Sequence, residues 1–155
     1  MKINELLKVK KFRDDWHKAT LNIIYTNSWI VKKLEQRANK KDITLQQFNV
    51  LRILRGQYPK AASNNLLKER MINSTPDISR LVDRIVAKGL VMRSKNTLDK
   101  RSVDLWITDR GLQLLDEIEE DMMLTDLINS NITEQEALQL SSLLDKFRGS
   151  MNMDD

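Results

Sequence analysis

Residues 75–110 constrain the fold more than any other part of the chain: they read T-P-D-I-S-R-L-V-D-R-I-V-A-K-G-L-V-M-R-S-K-N-T-L-D-K-R-S-V-D-L-W-I-T-D-R. Thr75 suits an N-cap, and Pro76 suits a first helical position, where a missing N–H costs nothing. Ile78, Leu81, Val82, Ile85 and Val86 then recur at i, i+3, i+4, i+7 and i+8 and predict one apolar stripe. Arg80, Arg84 and Lys88, four apart, predict a basic row beside it. Gly89 falls where a helix ends, at a position that favours a residue free of the left-handed penalty. A strand, a polar loop holding Asp-Lys-Arg at 99–101, a second strand and a new helix start follow. Such a helix buries one side in a small core and offers the other to a phosphate-lined groove, with a β-hairpin wing behind it.

The run resembles the winged helix-turn-helix of MarR-type bacterial transcription regulators. The matching segments are S-R-L-V-D-R-I-V-A-K-G-L-V at 79–91, D-K-R at 99–101 and L-W-I-T-D-R-G ending at Gly111. Flanking helices of suitable length carry the similarity over residues 10–150. The resemblance implies a mainly α fold with a small β wing: one MarR-like domain over 1–155, with a DNA-binding lobe at 42–107 and dimerisation helices at 10–37 and 108–150. It implies a homodimeric, sequence-specific DNA-binding regulator on double-stranded DNA with an inverted-repeat operator, in the first instance a repressor released by a small aromatic or amphipathic effector. A ligand-independent regulator, or a protein-interaction adaptor that keeps the winged-helix fold, is the alternative.

The charge distribution agrees with a polyanionic partner. The net charge of +4 hides an asymmetry: residues 1–107 carry 23 Lys and Arg against 10 Asp and Glu, whereas residues 108–155 carry 3 against 12. The excess of cations thus lies on the part that holds the DNA helix. Cysteine is absent, histidine occurs once, and there are four glycines, so ordinary zinc ligation, disulfides and a glycine-rich phosphate loop are all excluded. Neither a catalytic constellation nor a cofactor or metal site is expected. No stretch has the eighteen or more apolar residues of a membrane span, and the first residues lack the apolar core of a signal peptide, which leads us to expect a cytoplasmic protein.

Elsewhere the pattern is helical. Trp16, Ile23, Ile24, Asn27, Ile30, Val31 and Leu34 predict a long helix over 12–37, with Lys32, Lys33 and Arg37 near its C-terminal end. Thr44 and Gln47 form a capping box ahead of Leu45, Phe48, Leu51 and Leu54, and Gly56 and Pro59 punctuate the end. A short helix is expected over 64–71, and its pairing with the basic helix makes the helix-turn-helix. Leu67 in it stands where the family commonly has a small residue. Val103, Leu105 and Ile107 alternate with Asp104 and Trp106, a strand with one buried face. Thr108 is expected to cap a helix reaching to about Leu127, and Thr133 with Glu136 to open a last one carrying Ala137, Leu140, Leu144 and Phe147. His17, next to Trp16, reads as a surface or interface residue.

Candidate roles follow from chemistry and from the resemblance. On the exposed side of the basic helix, Ser74, Thr75 and Ser79 suit phosphate oxygens, while Arg80 and Arg84 suit guanine edges. Asp77 cannot favour phosphate and is expected to order a neighbour or accept from a cytosine amine. By resemblance, Arg101 is the minor-groove arginine of the wing and Asp99 the carboxylate that holds it extended, with Lys95 and Lys100 as phosphate contacts. Tyr25, Trp29, Phe48 and Trp106 are the candidate lining of an effector cleft.

Overall fold

The computed structural model describes residues 1–72, 77–97 and 102–149. It divides into two compact units, residues 1–122 and the segment that begins at Met123.

In the first unit a short α1 (Ile3–Leu6) precedes the long α2 (Asp15–Asn39). No sequence pattern marks α1, four residues held by the buried Ile3 and by a bond from the Lys2 N–H to Glu5 at 3.0 Å. Helix α2 starts at Asp15 rather than at residue 12, because the Asp14 carboxylate accepts from the His17 N–H at 2.7 Å. A left-handed residue, Asp42, turns the chain into α3 (Leu45–Arg55). The predicted capping box is present: Thr44 Oγ accepts from the Gln47 N–H, and Gln47 Oε1 accepts from the Thr44 N–H, both at 3.1 Å.

Helix α4 (Asn64–Arg70) is capped by Ser63, whose hydroxyl accepts from the Leu66 N–H at 3.2 Å. Leu67 is fully buried, so this larger residue is accommodated by the core. Helix α5 (Ile78–Ala87) carries the basic face. Its end satisfies the orphan carbonyls by a complete Schellman pattern: the Gly89 N–H donates to Val86 O at 2.8 Å and the Leu90 N–H to Ile85 O at 3.2 Å. Gly89 sits at φ +70°, the left-handed geometry that the sequence assigned to it.

Strands β1 (Val91–Lys95) and β2 (Val103–Ile107) pair antiparallel, with Val91 opposite Ile107 and Lys95 opposite Val103. On the far side of β2, Ala62 and Leu105 exchange both backbone bonds at 2.9 Å, which anchors the hairpin to the start of α4. Leu105 and Ile107 are buried, as the alternation requires. Helix α6 (Asp109–Met123) follows, with Thr108 Oγ accepting from the Gly111 N–H at 3.1 Å and donating to Gly89 O at 2.8 Å.

The core of this unit joins Val50, Leu51 and Leu54 of α3, Leu67 of α4, Ile78, Val82 and Ile85 of α5, Leu105 of β2 and Leu115 and Ile118 of α6. One cross-link is electrostatic. Arg55 reaches Glu119 through two bonds, one of them 2.9 Å, tying α3 to α6. The guanidinium holds the Glu119 carboxyl below its ordinary range, and Glu119 in turn raises Arg55.

In the second unit, Leu124 is left-handed at φ +58°, which ends α6 four residues short of Leu127. A single turn, α7 (Thr125–Ile128), precedes α8 (Glu134–Arg148). The capping box of Thr133 and Glu136 is present, with the Glu136 N–H on Thr133 Oγ at 3.2 Å and the Thr133 N–H on Glu136 Oε2 at 2.8 Å.

Candidate nucleic-acid interface

Helix α5 divides cleanly into two faces. Ile78, Leu81, Val82 and Ile85 are buried, while Ser79, Arg80, Asp83 and Arg84 are exposed. The apolar side therefore fixes the helix and leaves two guanidiniums on the outside. The helix begins at Ile78 with Asp77 as its N-cap, two residues later than a Thr75 cap and a Pro76 start require; Thr75, Pro76 and Ser74 lie outside the described residues.

Asp77 does two things at once. Its carboxylate accepts from the Arg80 N–H at 3.0 Å and pairs with Arg80 Nε at 2.9 Å. It thus orders a neighbour, one of the two roles assigned to it from sequence. Arg84 is exposed and, among the described residues, carries no ion pair, so its guanidinium is free for a partner. Lys88 leaves the basic row: its ammonium donates to the backbone oxygen and, at 2.9 Å, to the carboxylate of Asp42, and so anchors the C-terminal end of α5.

The wing lies against the same helix. Arg93 of β1 pairs with Asp83 of α5, a contact between residues ten apart that fixes the hairpin relative to the basic face. Sequence reasoning passed over both residues. The signal was an opposite-charge pair, but only the folded hairpin brings the two together. Near the wing's far end, the Asn96 amide donates to Asp104 at 2.9 Å and the Asn96 N–H to Ser102 O at 3.1 Å. Lys95 is exposed on β1. Asp99, Lys100 and Arg101, the proposed wing tip, lie outside the described residues.

The four effector-cleft candidates occupy different settings. Tyr25 and Trp29 stand one turn apart on α2, 38% and 37% exposed. Phe48 belongs to the core, with the Arg52 guanidinium 5.9 Å from its ring centre. Trp106 is half-buried on β2, opposite Met92. Among the described residues no group of His, Cys, Asp and Glu has the arrangement of a metal site, and no helix is long and apolar enough to cross a membrane.

A helix-turn-helix with a cationic outer face, braced by a two-stranded hairpin, defines a winged-helix DNA-binding protein. Known proteins sharpen that class. The MarR family profile matches residues 43–103. The HTH-type transcriptional regulator PecS of Dickeya dadantii (strain 3937) is 30% identical over 118 residues, which cover 74% of this chain and 70% of PecS. The HTH-type transcriptional repressor MdtR of Bacillus subtilis (strain 168) is 28% identical over 129 residues, 81% of each chain. Among solved structures, a complex of S. aureus MepR with DNA matches with a TM-score of 0.71 at 22% identity, covering 91% of this chain and 100% of MepR, a likeness of fold. The chain belongs to the MarR family of DNA-binding transcription regulators, which are not enzymes.

Proposed function

We propose that the protein is a homodimeric, sequence-specific repressor that binds an inverted-repeat operator and is released by a small aromatic or amphipathic effector. The observation that carries the DNA half is α5: its apolar face is buried while Arg80 and Arg84 stand exposed on the outer face, beside a wing braced by Arg93. Ser79 joins them as a phosphate contact, with Lys95 on the wing. Ser74, Thr75, Asp99, Lys100 and Arg101 complete the reading surface on the family resemblance, Arg101 entering the minor groove.

Dimerisation is supported by apolar side chains left in solvent. On α2, Trp16 is 81% and Ile24 56% exposed; on α8, Leu138, Leu140, Leu143 and Phe147 are all at least half exposed. A single chain gains nothing by exposing them, whereas a second copy can cover both helices. Tyr25 and Trp29, partly exposed on α2, are the most available of the four effector candidates, with Phe48 and Trp106 behind them. Repression rests on the analogy with MdtR, itself a repressor.

Gel-shift against the DNA flanking its own gene tests this reading. Wild type is expected to shift a discrete fragment, and Arg84→Ala and Arg101→Ala each to weaken binding by roughly 1–3 kcal/mol, the worth of a good groove contact, with thermal stability nearly unchanged. Asp99→Ala is expected to cost less, since it only positions the arginine. Equal affinity of Arg84→Ala, Arg101→Ala and wild type overturns the assignment of the reading surface.

A further inference from the structure

Among the described residues, three cations of α5 and the wing stand against carboxylates: Arg80 with Asp77, Arg93 with Asp83 and Lys88 with Asp42. The last two pairs join different elements and brace the fold. The first lies at the start of α5 and braces no second element. With its side chains 46% and 81% exposed, it adds little to stability, because water screens it. Its geometry is nonetheless specific. Asp77 Oδ1 accepts from the Arg80 N–H at 3.0 Å, and this cap fixes the carboxylate at the helix start. The other oxygen, Oδ2, pairs with Arg80 at Nε, 2.9 Å away. A carboxylate on the Nε side leaves the outer edge of the guanidinium open, and that edge is the one that spans O6 and N7 of a guanine.

A lone surface arginine takes whichever phosphate oxygen it meets, and duplex DNA offers phosphates regardless of sequence. Asp77 changes this in two ways. Its negative charge, beside the guanidinium, repels the phosphates of any sequence. It also holds the guanidinium by a charge-assisted contact, so that less freedom is lost when the outer edge meets a base. We propose that Asp77 sets the sequence discrimination of α5: it withholds Arg80 from phosphates and presents it to a guanine edge in the major groove. Arg84, one turn further along α5 and with no ion pair among the described residues, is under no such restriction. This inference rests on the reading of α5 as the helix that contacts DNA, and it adds which residue makes that contact selective. Selectivity of this kind comes from weakening the wrong complexes as much as from strengthening the right one.

Fluorescence anisotropy of the full chain with two labelled duplexes of equal length, the fragment selected by gel-shift and a random sequence, tests this. Asp77→Asn is the first variant, since asparagine caps a helix as well as aspartate does and removes only the charge. Asp77→Ser, also a good cap, is measured beside it, and thermal unfolding checks that both variants fold. Both are expected to bind the random duplex more tightly than wild type and to lower the fragment-to-random affinity ratio about tenfold, the size of one good base contact. Guanines of the fragment are then replaced one at a time by 7-deazaguanine, which lacks the N7 acceptor. One such replacement is expected to weaken wild type about tenfold and Asp77→Asn several-fold less. A capping role alone moves neither the ratio nor the guanine dependence. An unchanged ratio in both variants, or the same guanine dependence in wild type and Asp77→Asn, overturns the role of Asp77 and leaves the DNA reading standing. Wild type that does not distinguish the fragment from random DNA overturns the DNA reading itself, and the role of Asp77 with it.

Discussion

Two glycines show how single positions hold the interface together. Gly89 is required by its backbone, at φ +70°, and a side chain there meets no neighbour closer than the Arg110 guanidinium at 3.8 Å. Gly111 is required by space instead. A Cβ on it would lie 2.7 Å from Ile107 Cγ1 and closer still to the Leu90 carbonyl oxygen, which is backbone and cannot swing away. Gly111→Ala is therefore expected to destabilise the fold by about 1–3 kcal/mol through overpacking, and Gly89→Ala by about 1–2 kcal/mol through left-handed strain. Urea unfolding of both variants reads these costs, and a Gly111→Ala protein as stable as wild type disproves the close approach of α6 to the strand. The two defects differ in kind, so only the Gly111 variant is expected to displace the wing from α6.

At the level of elements, legibility followed the range of the interaction that sets each boundary. The boxes at Thr44–Gln47 and Thr133–Glu136 were readable because both partners lie within four residues. The start of α5 was misplaced because Thr75 and Asp77 are both competent caps, and a local rule cannot choose between them. The break at Leu124 was invisible, since leucine carries no preference for the left-handed region it adopts. Arg93–Asp83 and Lys88–Asp42, the pairs that brace the basic helix, join different elements and have no local signature. The apolar and basic faces of α5 were legible because a 3.6-residue period is written directly in the chain.

Helix caps and cross-links also set the response to acid. Asp14 is held low by the His17 backbone N–H, Glu119 by Arg55 and Glu136 by the Thr133 backbone N–H. A carboxyl whose folded pKa is depressed contributes stability that is complete above its unfolded value and is lost as pH falls through the folded one. Thermal unfolding is thus expected at lower temperature below the ordinary carboxylate range, near 4.5 for glutamate. Glu119→Gln is expected to lose part of that acid dependence while changing little in salt-bridge-free neighbours such as Leu115. A Tm independent of pH through the acid range contradicts these three attachments.

On the scale of the whole molecule, exposed apolar helices and a basic lobe make separate demands, and the proposed twofold dimer would answer both. Replacing Leu140 and Leu144 of α8 with glutamate is expected to give monomers that no longer hold an operator, because single lobes bind DNA far more weakly than a linked pair. Light scattering at micromolar concentration checks this, and a monodisperse wild-type monomer refutes the dimer. The proposed twofold also sets an expectation for the DNA. In the proposed homodimer, two α5 helices related by the twofold are expected to enter successive major grooves on one face of the duplex, with half-site centres roughly 10 base pairs apart. The cation excess of residues 1–107, 23 against 10, is expected to supply phosphate contacts from both protomers of such a dimer. With about six or more phosphates neutralised, the slope of log K against log salt is expected to be about −5 or steeper. Inserting about five base pairs between the half-sites turns one of them by half a helical turn, to the far side of the duplex. Tight binding is expected to vanish in that fragment and to return when the insertion is extended to about ten base pairs only if the dimer can span two turns. Tight binding that survives the half-turn insertion, or that ignores salt, excludes a twofold, phosphate-anchored grip on the duplex.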